Sequence, residues 1–423
     1  MKSTTYDQLM ELLTGMEIVD THEHLPPEKA RLEFTVDFST LFSHYCTSDL
    51  SAAGMTPVQL DTVVGPKATV EDKWRIFQPY YRLIQDGSYA RAAHIAMEKF
   101  YGKSRLTSLK DAQTVTEAIR KANKPGLYKK VLKDACKIRV SLNCGGISED
   151  KDYFASVVNL GDEAQVTKLS IRRIEDELGV SCGNLSSYVD AVWERCRQYK
   201  EQGMVGIKIP LAYMRDLHFA ARTHAEAEQV FLRNMEEGYG WRNTELGYEE
   251  MRPLHDYMIH QFVEIDGALD VPIVFHTGLQ TSVGHNPDDS RPLRLWNLFH
   301  RYRKTDFVIL HAGFPWMEEA AMLAKQYPNA YLDMAWAHLM SPEIATRALK
   351  TWVDMVPMNK VMGFGGDYGV VEKVYGHLTL ARQNIACALA AKVETGALTL
   401  PRAKAWIQAI LWDNPKRVYR LEI

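Results

Sequence analysis

The sequence predicts an α/β chain folded as one parallel, eight-stranded (β/α)8 barrel of the TIM type, and three observations carry that prediction. Eight short β-rich runs alternate with longer helical stretches, which is the pattern of βαβ units around a closed parallel sheet. Residues with metal-ligating side chains recur at the C-terminal ends of several runs, on the rim where this fold builds its active sites. The one long interruption, residues 27–136, falls directly after the first run and is too long to be a plain connection.

The runs are EIVDTHEHL (17–25), KIRVSLNCG (137–145), FASVVNLG (154–161), MVGIKIPLA (204–212), VPIVFHTG (271–278), FVILHAG (307–313), AYLDMAW (330–336) and VMGFGGD (361–367). Each is rich in β-branched or other apolar residues and bounded by turn-forming ones. Between them lie helical patterns such as LSSYVDAVWERCRQYKEQG (185–203), which puts Tyr188, Val189, Val192 and Cys196 on one face and ends at a capping glycine. Helices near 371–392 and 400–412 are expected to close the barrel.

The segment 27–136 contains the helical patterns VEDKWRIFQPYYRLI and YARAAHIAMEKFYG. Because it leaves from a strand end, it starts on the catalytic face and is expected to cap the site, with Trp74, Phe77, Tyr80 and Tyr81 in its own core. A smaller insertion, 216–248, follows the fourth strand and is expected to join the same roof. Residues 1–423 thus read as a single elaborated barrel domain.

Composition narrows the function. The 423 residues are 46% hydrophobic and 24% charged, enough for a large core. Fifty basic residues against 53 acidic ones leave a net charge of -3, and no basic run of the kind that tracks a phosphate backbone occurs, so nucleic acid is excluded as a partner. The opening MKSTTYDQLMELLTG lacks the apolar region of a secretory signal, and no stretch approaches the roughly 18 apolar residues of a membrane span. A cytoplasmic protein acting on a small-molecule substrate, without a membrane partner, is expected. The cysteines, Cys46, Cys136, Cys144, Cys182, Cys196 and Cys387, are scattered without CxxC spacing and read as reduced, structural thiols.

In IVDTHEHL the side-chain alternation of a strand sends Asp20, His22 and His24 to one side, where two imidazoles can grip one cation. Alone the pair says little, since fourteen histidines in 423 residues give about 0.5 such HxH pairs by chance. Its weight comes from His276 in PIVFHTG, His311 in FVILHAG and Asp367 in GFGGDYG, each at the end of a later strand run. Such a nitrogen and oxygen set suits Zn²⁺, and Mn²⁺, Fe²⁺ or Co²⁺ accept it as well. A bound divalent ion lowers the pKa of its water to about 7. Asp367 is then expected to take that water's proton and return it to the leaving group, while His311 polarises the reacting oxygen.

Lys208, at the end of the fourth run, has three readings: a lysine carboxylated to a carbamate that bridges two ions, an ammonium that binds an anionic substrate, or a plain rim lysine. If the carbamate forms, His276 and His311 are expected to hold the second ion. Beyond it, Tyr213 and Arg215 are candidate substrate contacts, the guanidinium fork suiting a carboxylate or phosphate. Trp316, Trp336, His338 and Tyr368 follow rim strands and are candidate pocket residues.

This order of residues resembles the amidohydrolase superfamily: HxH on the first strand, a lysine on the fourth, histidines ending the fifth and sixth, an aspartate ending the eighth. The stretches IVDTHEHL, VFHTGLQ, VILHAGFPW, NAYLDMAW, GFGGDYG and ILWDNPKRVYRL are similar to the amidohydrolase-2 subgroup of uronate isomerases, non-oxidative decarboxylases and nodulin-like amidohydrolases. The resemblance implies the barrel, one or two metal ions, the catalytic aspartate and a homo-oligomer. It leaves open hydrolysis of an amide, ester or lactone, decarboxylation, and sugar isomerisation. Lys208 matches the position carboxylated in binuclear members, whereas HTGLQTSVGHN lacks the arginine-asparagine cluster expected after the strand-5 histidine of a uronate isomerase. The leading expectation is therefore a metal-dependent hydrolase of a small, polar, anionic molecule. A non-catalytic binding barrel is disfavoured by the intact Asp367.

Overall fold

The computed structural model describes residues 3–236, 246–282 and 284–423. Its strands are β1 (Ile18–Glu23), β2 (Ile138–Gly145), β3 (Phe154–Asn159), β4 (Met204–Ile209), β5 (Ile273–Phe275), β6 (Phe307–Ile309), β7 (Ala330–Asp333) and β8 (Val361–Met362). They form one sheet in sequence order, and every neighbouring pair is parallel. All eight expected runs hold a strand. The later ones are shorter than their runs because the chain leaves the ladder before the rim residues.

The sheet curls until its ends meet. Past β8 the backbone no longer counts as strand, yet it still bonds to β1: Thr21 N donates to Phe364 O at 3.0 Å, Asp367 N to His22 O at 2.7 Å and His24 N to Tyr368 O at 3.2 Å. Glycine makes this seam possible. A Cβ on Gly366 would sit 1.8 Å from Glu23 Oε1, so any side chain there would have to displace the buried Glu23 carboxylate from the seam.

Two layers of core hold the barrel. Inside, Val19, Leu142, Val157, Val274, Val308 and Met362 pack together and are joined by Val418, Tyr419 and Leu421 from the C-terminus. Outside, the other strand faces meet the surrounding helices; in the helix Leu185–Glu201, Tyr188, Val189, Val192 and Cys196 are all buried, as their spacing predicts.

The segment between β1 and β2 is helical, with Val70–Ile84, Ser88–Tyr101 and Leu109–Ala122 as its longer helices. It has its own apolar core, in which Trp74, Phe77 and Tyr81 are buried and Tyr80 packs at the edge. It is pinned to the barrel by the helix Val371–Glu394, where Glu372 takes Arg31 at 3.0 Å and Tyr101 Oη at 2.7 Å. In the smaller insertion, the helix His224–Glu236 packs on the helices Leu185–Glu201 and Tyr248–Leu269. Residues 237–245 of that insertion lie outside the described residues.

Candidate metal centre

Six rim side chains from five strands converge on one cavity of about 290 Å³: His22, His24, Lys208, His276, His311 and Asp367. Around it stand Cys144 and Asn159 from β2 and β3, Tyr213 and Thr281 from loops, and His44 and Tyr45 from the large insertion. This is the only place among the described residues where histidines and a carboxylate cluster tightly enough to share an ion. His22, His311 and Asp367 form one such group, and His22, His24 and Cys144 another, with donor atoms within 4.8 Å of one another in each.

Asp367 is the hub. Its Oδ1 lies 3.5 Å from His22 Nε2 and 3.3 Å from His24 Nε2, and its Oδ2 lies 3.6 Å from His311 Nδ1. Burial alone would raise its pKa, but the surrounding His22, His24 and His311 hold the carboxyl well below the usual range, so it is an anion at neutral pH. Burial, reinforced by the Lys208 charge, keeps His22 well below the ordinary imidazole value, and burial holds His311 at about 3. Neutral imidazoles with an adjacent carboxylate are the protonation state that a divalent cation requires.

The histidine network fixes which nitrogens are free. Ala335 O can only accept, so His311 Nδ1 donates to it at 3.1 Å; His311 Nε2 therefore accepts from His276 Nδ1 at 3.0 Å. His276 Nε2 is left buried with no partner, its lone pair open to the cavity. His311 thus becomes a ligand only by exchanging a hydrogen bond for the ion. Two residues of the site bend the backbone to reach it: His311 at φ 59° and Asp367 at φ 58° occupy the left-handed region, which costs a non-glycine residue about 1 kcal/mol or more.

Lys208 is 3% exposed, and its Nζ finds no hydrogen-bond partner among the described residues. Burial lowers its pKa from 10.5 to about 8, so a fraction of the amine is neutral near physiological pH. Below the ligands lie three buried acids. Asp20 accepts from Ser141 Oγ and Gly366 N, each at 3.0 Å; Glu23 accepts from Tyr368 N at 2.7 Å; Asp333 accepts from Thr21 Oγ1 at 2.9 Å. Burial raises all three, Asp20 to about 6 and Asp333 to about 7, and Asp20 therefore works beneath the cavity, not in it.

Amidohydrolase describes the model of the protein family that matches residues 149–421, well over half the chain. The chain belongs to the amidohydrolase family. Protein fluG of Emericella nidulans is 25% identical over 227 residues, which is 52% of this chain and 26% of that protein. The chain thus spans about a quarter of the length of the curated relative it matches. Among solved structures, uronate isomerase from Thermotoga maritima superposes with a TM-score of 0.80 at 15% identity, covering 99% of this chain and 98% of that one. Glucuronate isomerase from Caulobacter crescentus also gives 0.80, at 17% identity and coverages of 99% and 94%. At such identities the likeness is one of fold.

Within this amidohydrolase, Tyr213 lines the cavity: its ring centroid is 4.6 Å from that of His276, and its hydroxyl accepts from Thr281 N at 3.2 Å. Arg215 does not. Its guanidinium is turned away into the protein, pairing with Asp256 at 2.8 Å and donating to His218 O at 2.6 Å, with the side chain 1% exposed. Its Nε donates to Asp216 O at 3.1 Å and its Nη1 to Arg252 O at 3.4 Å, so every nitrogen of the fork is engaged within the protein. Trp336 and Tyr368 stand behind the cavity wall, each with its ring tilted against Tyr45, while His338 is buried against Gly363 O and Trp316 is only half-buried.

Four lining residues had no signal that sequence reading used. His44 and Tyr45 sit in an insertion whose helical periodicity hides the loop that dips into the site; the Tyr45 hydroxyl faces Asp367, and burial together with that carboxylate pushes the phenol well up. Cys144 ends β2 at the rim, the position rule that found His276 and His311, and burial pushes its thiol up to about 12. Asn159 ends β3 by the same rule.

Proposed function

We propose that this amidohydrolase is a metal-dependent hydrolase of a small, polar, anionic amide, ester or lactone. The observation that carries the reading is the convergence of His22, His24 and His276 with anionic Asp367 and Lys208 on one small cavity. The residues fit a divalent ion. His276 Nε2 and Lys208 Nζ are buried polar atoms with no hydrogen-bond partner among the described residues, and such orphans are costly unless something else occupies the site. His22, His24 and Asp367 would hold one ion, with His276 and Lys208, as ammonium or carbamate, facing it.

When bound, a divalent ion supplies an acidified water and a Lewis-acid contact for a carbonyl oxygen. The chain's own residues do the rest. Asp367, kept ionised by three imidazoles, accepts a proton from the attacking water and delivers it to the leaving atom. The His276–His311 pair, neutral and hydrogen-bonded, faces the reacting oxygen without adding a competing charge. His44 and Tyr45 line the cavity from the insertion. Among the described residues Lys208 is the sole lysine or arginine on the lining, so a substrate anion is taken there if the lysine is unmodified.

The reading is tested by turnover of a panel of small amides, esters, lactones, aromatic acids and uronates, with Asp367→Asn as control. Hydrolysis of at least one carbonyl substrate, lost in the control, supports it. A second reading is sugar isomerisation with one ion, favoured by the superposition of the two isomerase folds over the whole chain, insertion included. Against it, no arginine among the described residues lines the cavity to pair with a uronate carboxylate. Turnover of uronates alone would establish it in place of hydrolysis.

A further inference from the structure

Five of the six cysteines are buried, but Cys144 alone of them lines the cavity. It is the last residue but one of β2, whose neighbour in the sheet is β1, and the parallel pairing sets Asn143 beside Glu23. That register brings the thiol of the next residue up against the imidazoles of the HxH pair. Cys144 Sγ and one nitrogen each of His22 and His24 lie within 4.8 Å of one another. Thiolate and imidazole donors lie about 3.5 Å apart around a tetrahedral zinc ion with bonds of about 2.3 and 2.1 Å. The three atoms need only draw in by about an ångström to share one ion.

A cysteine that merely packs has no reason to sit there. Cys136 and Cys196 fill the apolar space outside the barrel, among side chains such as Ile138 and Val192. Cys144 instead faces unpartnered Lys208 Nζ, which is 97% buried and opens on the same cavity, so a cation already stands where a thiolate would need one.

We infer that Cys144 is a thiolate ligand of the ion held by His22 and His24, giving this amidohydrolase a sulfur-containing metal centre. On binding, the S–H bond breaks, an S–metal bond forms and the proton leaves to solvent through the cavity. A sulfur donor selects Zn²⁺ or Co²⁺ over Mn²⁺ and Mg²⁺, so it also narrows the metal that the donor set alone leaves open. The inference rests on the metal-dependent reading above.

Cobalt(II) is the probe, added to the full chain after chelation. The wild type is expected to bind it stoichiometrically with a near-ultraviolet thiolate-to-cobalt charge-transfer band, retained in Cys196→Ser and absent in Cys144→Ser. X-ray absorption of the zinc-loaded wild type, which needs no variant, is expected to show one sulfur at about 2.3 Å. Full cobalt binding without the band, a band that persists in Cys144→Ser, or a zinc shell of nitrogen and oxygen alone overturns the inference and leaves the proposed function standing. A chain that takes up no metal overturns both.

Discussion

His24 Nε2 lies 3.3 Å from Asp367 Oδ1, so the first and last strand runs of the barrel, 343 positions apart in the chain, meet in one pair of donor atoms. That contact depends on the glycine seam, on the left-handed turn at Asp367 and on the bond from Asp367 N to His22 O. The carboxylate is therefore placed by backbone, not by chance of rotamer.

Asp367→Asn keeps the shape and removes the base. Turnover of any substrate found is expected to fall by about 10²- to 10⁴-fold, the usual contribution of a positioned acid-base group. Steady-state kinetics check this; a variant with wild-type kcat would show that the proton is handled elsewhere.

Gly366→Ala tests the seam. The new Cβ meets Glu23 Oε1, and the resulting displacement is expected to cost about 1–3 kcal/mol and to weaken metal binding through Asp367. Denaturant unfolding and a metal titration read the two effects. Wild-type behaviour in both would mean that the Glu23 carboxylate has room to move.

Lys208 makes a pH-dependent prediction for the metal-free protein. Its folded pKa, about 8, lies below the ordinary 10.5, so folding expels a proton between those values and stability rises with pH across that window. Below about 8 the penalty is complete, on the order of 3 kcal/mol. Lys208→Met is thus expected to be more stable than the wild type at pH 7 and to lose that advantage by about pH 10.5. Urea midpoints at the two pH values decide it; a pH-independent difference would place the lysine's charge in contact with solvent.

Arg215→Leu is expected to destabilise the fold by about 1–3 kcal/mol, because it leaves the buried Asp256 carboxylate with Arg222 alone, at 3.2 Å. The folded enzyme should keep its KM. A raised KM at unchanged stability would restore Arg215 to the substrate site.

The eight strands were legible because buried parallel strands are short apolar runs, and the ligands because each ends such a run. The chain order alone places His22, His24, Lys208, His276, His311 and Asp367 on one rim, and the fold brings them to one cavity. Arg215 was misleading for a physical reason: a guanidinium seven residues past a catalytic-face lysine has the right sequence position, but sequence does not reveal that Asp256, on the helix Tyr248–Leu269, claims it. Tyr45 and His44 were hidden because contacts between a helical insertion and a rim are set by tertiary packing, not by periodicity. The left-handed backbone of His311 carries no sequence mark at all, since the following residues, Ala312 and Gly313, give only one glycine where three left-handed turns occur.

The central claim is that His22 and His24 are the first ligands of a catalytic divalent ion. Elemental analysis of the purified chain and of its His22→Ala and His24→Ala variants, each confirmed as folded by circular dichroism, tests it most directly. At least one equivalent of zinc or a related divalent metal is expected in the wild type, and most of it is expected to be lost in both variants. Full metal content in either folded variant, or none in the wild type after reconstitution, would contradict it.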